Sequence, residues 1–147
     1  MLADKAAIAK AIPHTGSMCL LDSVLECDAQ HILCISNTHL DNDNPMRSGN
    51  ELSGLCGIEY AAQAMAVHGV LGGQIDRKPR TGYLISLREV RCNVIRLDTL
   101  QQELIIDAEK LMGDEARVMY QFNLSTGGKE IMSGRATVVL DADGVTA

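Results

Sequence analysis

The sequence predicts an α+β fold in which a curved antiparallel sheet wraps around one long central helix. Leu52–Leu71 is apolar or small almost all the way round, which is typical of a helix buried on every side. Segments on both sides of it alternate polar and apolar residues and end at turn motifs, as strands do. A helix without a polar face must be wrapped by a sheet or covered by a second subunit, and we expect both.

Before the central helix the sequence predicts a short helix and a hairpin. Ala3–Ala11 consists of helix-forming residues and is stopped by Pro13. The strand candidates Met18–Glu26 and His31–Thr38 flank a polar turn, which predicts an antiparallel pair. A segment rich in Asn and Asp, closed by Pro45, then predicts a loop that leads into the central helix.

The central helix is expected to begin between Asn50 and Ser53 and to end by Gly72 and Gly73, because glycine commonly terminates helices. Turn residues at 113–114 and 126–129 indicate that the last three strands form an antiparallel meander. The four strands after the helix are predicted at Tyr83–Arg91, Gln102–Leu111, Arg117–Leu124 and Glu130–Leu140.

Length and composition indicate one globular domain, residues 1–147, since domains typically contain about 100 to 200 residues. A net charge of -6 argues against nonspecific nucleic-acid binding, which needs a basic surface. The first twelve residues are charged and lack a signal-peptide core. Five cysteines, an odd number without Cys-x-x-Cys spacing, are typical of reduced thiols. The sequence therefore predicts a cytoplasmic protein.

Glu59 is the one acidic side chain within the apolar stretch. An unpaired ionised carboxylate is costly to bury, so this group needs a partner or serves a functional site. Gln63, one helical turn later, is a candidate partner. Alternatively, Glu59 reaches the surface past its small neighbours.

Three segments carry a family resemblance. Ile12–His14, followed by Met18–Glu26, looks like a Pro-His loop and first strand with a Leu-Leu-x-Asp-x-Val pattern. Glu59–Ala64 looks like a Glu-Ala-Met-Ala-Gln-Ala helix, and Val90–Leu100 is similar to a Val-x-Phe-x-x-Pro-Val-x-Pro-Gly-Asp-x-Leu segment. In this order they resemble the hotdog fold and the FabZ-like 3-hydroxyacyl-[acyl-carrier-protein] dehydratases, most closely the ApeP-type enzymes of aryl polyene biosynthesis.

The resemblance implies that the chain converts 3-hydroxyacyl thioesters to trans-2-enoyl thioesters in fatty-acid-like or aryl polyene biosynthesis. It implies no cofactor, because the substrate carries its own phosphopantetheine arm on an acyl carrier protein or on coenzyme A. It also implies a homodimer with active sites at the interface. The basic residues expected to meet an acidic carrier protein are Arg77, Lys78, Arg80 and Arg88.

Dehydration requires an acid, a base and hydrogen-bond donors for the enolate oxygen. The resemblance assigns Glu59 as the acid. Gly54 matches the glycine of the family's final Pro-Gly, and its N–H is expected to lie free at the helix start, where it would polarise the thioester oxygen. Gln63 shares the Glu59 face and is expected to orient its carboxylate.

The base departs from the family pattern. The family's catalytic histidine stands fourteen residues before the helix glutamate, and that position holds Pro45. By the resemblance, Pro13 and His14 line the acyl tunnel, so His14 is expected to replace the missing imidazole. His68 lies on the helix face opposite Glu59, and His39 lies in a loop. The sequence shows no metal-ligand spacing such as His-x-x-x-His, and no metal site is expected.

Two other functions stay open. Hotdog proteins also include thioesterases in which one helix carboxylate acts on water without a histidine, and the proline at position 45 favours such chemistry. The third possibility is an acyl-binding partner subunit without chemistry of its own, active only beside a complete homologue.

Overall fold

The computed structural model describes residues 1–12, 18–72, 82–114 and 116–140. Short 3-10 turns lie at Thr38–Leu40 and Gly54–Cys56. The helices and strands of this part of the chain are α1 (Lys5–Ala11), β1 (Ser23–Cys27), β2 (His31–Ser36), α2 (Gly57–Leu71), β3 (Gly82–Cys92), β4 (Leu104–Gly113), β5 (Arg117–Thr126) and β6 (Lys129–Leu140).

The six described strands form one antiparallel sheet in the order β1-β2-β4-β5-β6-β3. The predicted hairpin is β1–β2, and the predicted meander is β4–β5–β6. β3 precedes the meander in sequence but pairs with β6, so it forms one edge of the sheet. Register irregularities in four of the five strand pairs increase the local twist of the sheet.

Helix α2 packs across the middle strands of this sheet, against β4, β2 and β5. The sheet's inner face consists of large apolar side chains, which stabilise the fold by about 1.5–3 kcal/mol each when fully buried. Its fully buried members include Ile32, Leu104, Ile106, Phe122 and Leu124, and α2 buries Tyr60, Ala61, Ala64 and Val67 against them. A central helix packed on an antiparallel sheet was predicted, and the structure confirms it.

The far face of α2 is apolar and only partly covered. Ile58, Ala62 and Ala66 follow one another at four-residue spacing and are half-buried, and Leu71 at the C-terminal end is 44% exposed. The sheet therefore covers one side of the helix. Glu59, also half-buried, lies beside this apolar stripe.

Helix α2 begins later than predicted because residues 51–53 contact the segment after β3 instead of joining the helix. Ser53 forms a bridge with Arg96, and the Leu52 carbonyl accepts a hydrogen bond from Leu97 N at 2.8 Å. These long-range contacts hold the residues in extended conformation, so regular helix starts only at Gly57.

Strand β1 is shorter than predicted for a similar reason. The residues before it are held by side chains rather than by a full strand ladder: Lys5 Nζ donates to the carbonyl oxygens of Cys19 and Leu21 at 2.9 and 3.2 Å. Pairing with β2 in a regular strand starts at Ser23. No helix among the described residues is long and apolar enough to cross a membrane.

Candidate active site

Glu59 lies in the first turn of α2. A carboxylate in this position interacts favourably with the positive end of the helix dipole. Its Oε1 accepts a hydrogen bond from Gln63 Nε2 at 3.4 Å, across one helical turn. The pairing expected from the four-residue spacing is therefore present, and it places an oriented carboxylate on the partly open face of the helix.

Gln63 connects Glu59 to the segment before β1. The side chain is 1% exposed, and its Oε1 accepts from Leu20 N at 2.9 Å. Its Nε2 donates to the Met18 carbonyl at 2.8 Å as well as to Glu59. Because one backbone group is a donor and the other an acceptor, these partners fix which end of the amide faces which way. Gln63 is the structural link between the candidate acid and residues 18–20.

Several predicted site residues lie outside the described residues: Pro13, His14, Arg77, Lys78 and Arg80. Their assigned roles stay predictions. The remaining predicted docking residue, Arg88, is exposed on β3.

The expectation that the Gly54 N–H lies free is wrong. This N–H donates to the Ile95 carbonyl at 2.8 Å, so it does not point at a substrate oxygen. A Cβ at this glycine would collide with the Val94 carbonyl oxygen and lie 3.1 Å from Cys92 Sγ. Glycine is needed here because the segment after β3 crosses directly over the helix start.

An ion pair that the sequence reasoning missed secures this crossing. Arg96 binds Asp98 through two nitrogens, at 3.1 and 2.5 Å, and a third nitrogen lies 3.2 Å from Glu51 Oε1. Asp98 Oδ1 also accepts from Leu52 N at 3.0 Å. The Arg96 guanidinium, together with the Leu52 N–H, lowers the pKa of Asp98 well below its usual range. The Arg-x-Asp spacing is local, but its target at Leu52 is not readable from sequence.

His68 is a core residue. It is 3% exposed, its Nε2 lies 2.8 Å from the Asp28 carbonyl, and its Nδ1 lies 2.7 Å from the Tyr120 hydroxyl. A carbonyl can only accept, so Nε2 carries the proton and Nδ1 accepts from Tyr120. Burial lowers the pKa of His68, which favours this neutral form. The contacts join α2 to the β1–β2 turn and to β5.

The other two described histidines are also engaged away from Glu59. His39 is fully buried, its Nε2 donates to the Leu100 carbonyl at 2.9 Å, and burial lowers its pKa. His31 Nε2 lies 3.0 Å from Asp107 Oδ2, a hydrogen bond that raises the pKa of His31. None of these contacts of His31, His39 or His68 brings an imidazole to Glu59.

Position 45, where the family pattern has its histidine, is an exposed proline in a turn. The preceding residue, Asn44, is 5% exposed and donates from Nδ2 to the Thr38 carbonyl at 2.9 Å and to the Tyr60 hydroxyl at 3.1 Å. The loop is therefore fixed to the helix by an amide, and position 45 itself supplies no proton-transfer group.

The fold and its central helix are shared with solved structures of known proteins. Over 92% of this chain and 91% of the other, the structure matches a chain of the dehydratase heterocomplex ApeI:P from Xenorhabdus doucetiae, with a TM-score of 0.77 and 23% identity. Zebra fish thioesterase superfamily member 2 matches with a TM-score of 0.65 at 14% identity, covering 93% and 95% of the two chains. A mutant thioesterase from Pseudomonas aeruginosa matches with a TM-score of 0.65 at 11% identity, covering 95% of each. At these identities the likenesses show the fold, and the protein has a hotdog fold.

The family is more specific than the fold. The model of the ApeP-like family, described as ApeP dehydratase, matches residues 6–146. The chain therefore belongs to the ApeP-like dehydratase family. No curated protein matches the sequence.

Proposed function

We propose that the protein dehydrates 3-hydroxyacyl groups carried as thioesters on an acyl carrier protein, giving trans-2-enoyl thioesters in aryl polyene or fatty-acid-like biosynthesis. The observation that carries the proposal is the family match over residues 6–146, which includes Glu59. The placement of that carboxylate, hydrogen-bonded to Gln63 beside an apolar stripe of α2, supports it.

In the proposed reaction Glu59 is the general acid and gives a proton to the hydroxyl on C3, which leaves as water. A base removes a proton from C2, and the electron pair of that C–H bond becomes the C2–C3 double bond. Gln63 holds the Glu59 carboxyl in position. The apolar stripe of Ile58, Ala62 and Ala66 supplies a surface for the acyl chain.

We assign the base to His14. The chain contains four histidines. Three of them, His31, His39 and His68, form hydrogen bonds with groups other than Glu59. His14 stands in the Ile12–His14 segment that resembles the family's Pro-His loop, four residues before Met18. Met18 is bound by Gln63, which in turn binds Glu59. This chain of contacts supports the assignment.

The proposed active unit is a homodimer. The far face of α2 is apolar and half-exposed, and covering such a face with another subunit removes apolar area from water. Glu59 lies beside this face, so a second subunit there would close the acyl site. No resident cofactor is required in this reaction, since the phosphopantetheine arm arrives with the substrate.

The direct test is to incubate the purified chain with a 3-hydroxyacyl carrier protein and to follow the mass of the acyl group. We expect loss of one water, and we expect Glu59→Gln to reduce the rate by at least about a hundredfold, which is typical when a general acid is removed. Glu109→Gln, an exposed carboxylate on β4, is the matched control and should keep full activity. Release of free acid instead would mean a thioesterase.

A second candidate is a non-catalytic partner subunit. Two observations favour it: the family histidine position holds Pro45, and the matched Xenorhabdus doucetiae structure is a heterocomplex. In that case the chain alone leaves the acyl group unchanged, and activity appears only when a complete hotdog homologue is added. The His14→Ala variant separates the two roles, because a partner subunit would not need its imidazole.

A further inference from the structure

The hydroxyl of Tyr60, on α2, belongs to a buried network of polar side chains. Tyr60 is fully buried, and its hydroxyl oxygen lies 2.8 Å from Thr38 Oγ1 and 3.1 Å from Asn44 Nδ2. Thr38 Oγ1 donates to the Leu20 carbonyl at 2.7 Å, and Ser36 Oγ donates to the same carbonyl. None of the four side chains is more than 7% exposed. We refer to Ser36, Thr38, Asn44 and Tyr60 as the hydroxyl network.

The protons of the hydroxyl network run in one direction. Asn44 Oδ1 accepts from Met46 N at 2.9 Å, which fixes the amide so that Nδ2 donates to Tyr60. The Leu20 carbonyl can only accept, so Thr38 gives it its one proton and accepts from Tyr60 in turn. Burial raises the pKa of Tyr60 to about 12, so the phenol keeps its proton. Bonds aligned in this way strengthen one another.

The network ends at the segment that holds the candidate acid. Leu20 N donates to Gln63 Oε1 at 2.9 Å, and the Met18 carbonyl accepts from Gln63 Nε2 at 2.8 Å. The same Nε2 reaches Glu59 Oε1 at 3.4 Å, the longest of the three bonds. Residues 18–20 are therefore held from two sides, by the hydroxyl network and by Gln63. A small shift of this segment would first weaken the bond to Glu59, since long hydrogen bonds are the weakest.

Two positions distinguish this arrangement from the family pattern. Tyr60 follows Glu59 directly, where the Glu-Ala-Met-Ala-Gln-Ala helix has an alanine. A buried hydroxyl needs hydrogen-bond partners, which an alanine would not. Asn44 stands directly before Pro45, the position of the family's histidine. The loop that carries the base in the family pattern is therefore fastened to α2 in this chain by a tyrosine that the pattern lacks.

We propose that Tyr60 is a positioning residue for Glu59. It acts through Thr38 and Leu20, which fix the segment that binds the Gln63 amide. This rests on the proposed function, in which Glu59 is the acid, and adds to it the residues that orient the carboxyl group. Tyr60 itself does not reach a substrate, because its side chain is fully buried.

The test compares two buried tyrosines. Tyr60→Phe keeps the ring and removes the hydroxyl. The matched control is Tyr120→Phe: Tyr120 is 4% exposed, and its hydroxyl bonds to His68 Nδ1 near the other end of α2. Both variants lose one buried hydroxyl and should lose similar stability. The NMR signal and hydrogen-exchange rate of the Gln63 side-chain amide are measured without substrate, and kcat and KM are measured on a 3-hydroxyacyl carrier protein.

We expect Tyr60→Phe to shift the Gln63 signal and to speed exchange of its amide by at least about tenfold. We expect kcat to fall by at least about tenfold with KM within about twofold, since orientation rather than binding is lost. Tyr120→Phe should keep both kcat and the exchange rate within about twofold. An unchanged Gln63 signal or unchanged kcat in Tyr60→Phe, or equal changes in both variants, would overturn the proposal.

A second pair of variants tests the same link without changing the tyrosine. Thr38→Val removes the hydroxyl at nearly constant shape, whereas Thr38→Ser keeps it. We expect the valine variant to reproduce the effect of Tyr60→Phe on the Gln63 signal and the serine variant to retain the original signal. Equal signals in the two Thr38 variants would overturn the proposal. The Gln63 measurement needs no turnover, so an original chain that fails to dehydrate would count against the proposed function alone.

Discussion

Gln63 shows how one buried amide can organise a site. Its three hydrogen bonds join Glu59 on the helix to Met18 and Leu20 in the segment before β1. Leu20 is itself fully buried. Removing the amide would leave the Leu20 N–H without its partner, and buried groups left in this state cost free energy.

We therefore predict that Gln63→Ala lowers the free energy of unfolding by about 2–4 kcal/mol, through unsatisfied polar groups and lost packing. The measurement is urea denaturation. Gln121→Ala, at a half-buried amide on the outer face of β5, is the control and should change stability by less than about 1 kcal/mol. Equal stability of the Gln63 variant and the original chain would show that these hydrogen bonds contribute nothing net.

His68 makes stability depend on pH. Burial lowers its folded-state pKa below the ordinary value of 6.5, whereas the unfolded chain titrates near 6.5. Below that pH the unfolded state takes up a proton that the folded state excludes, so this contribution to stability is complete above pH 6.5 and falls as the pH drops. The pH-dependent contribution of His39 to stability has the same sign, because its pKa is also lowered. The contribution of His31, whose pKa is raised, has the opposite sign.

We predict that the original chain loses more stability between pH 7 and pH 5.5 than a His68→Gln variant does. The variant is less stable at pH 7, because it loses the bond to Tyr120 or to Asp28, but it has one fewer buried group to protonate. Free energies of unfolding at both pH values test this. Identical pH slopes in the two proteins would contradict the assignment of a neutral buried His68.

At the scale of elements, the start of α2 depends on contacts made far along the chain. Gly54 donates to Ile95, and Asp98 accepts from Leu52, so the crossing segment after β3 fixes where the helix begins. A Cβ at Gly69, near the other end of α2, would meet no atom within 4 Å apart from its chain neighbours and the nearby backbone of its own helix. Substitution by alanine is therefore expected to change stability in opposite directions at Gly54 and at Gly69.

Gly54→Ala should destabilise the protein by about 2 kcal/mol or more, because the methyl group collides with the Val94 carbonyl oxygen. Gly69→Ala should instead stabilise it by about 0.5–1 kcal/mol, the usual gain from replacing glycine inside a helix. Thermal denaturation of both variants checks the pair. A neutral Gly54→Ala would mean that the crossing segment moves away at little cost.

Local patterns predicted the elements well, and long-range contacts explain the errors. The α2 helix, the β1–β2 hairpin and the β4–β5–β6 meander follow from periodicity and turn residues. The Glu59–Gln63 hydrogen bond follows from four-residue spacing. The bond from Gly54 to Ile95 joins residues 41 positions apart, and no local rule indicates it.

The candidate site was only partly predictable for the same reason. Gln63 was selected as a neighbour of Glu59, but its bonds to residues 18–20 depend on how the segment before β1 packs. Arg88 and Arg91 lie on the same face of the sheet only because the register of β3 shifts at a bulge that includes Glu89. Regular alternation would have placed Arg91 on the opposite face from Arg88.

At the scale of the whole molecule, the chain belongs to the ApeP-like dehydratase family and has a hotdog fold with a partly covered apolar face on α2. In the proposed function this face meets a second subunit. That proposal uses a surface that the described chain leaves incomplete, an apolar stripe that is only partly covered.

In the proposed function this chain removes water from a carrier-bound 3-hydroxyacyl group with Glu59 as the acid. Intact-mass measurement of the acyl carrier protein after incubation with the purified chain alone tests this claim. We predict loss of one water with the original chain and an unchanged mass with Glu59→Gln. An unchanged mass with the original chain, restored only by adding a complete hotdog homologue, would contradict the claim and assign the chain the role of partner subunit.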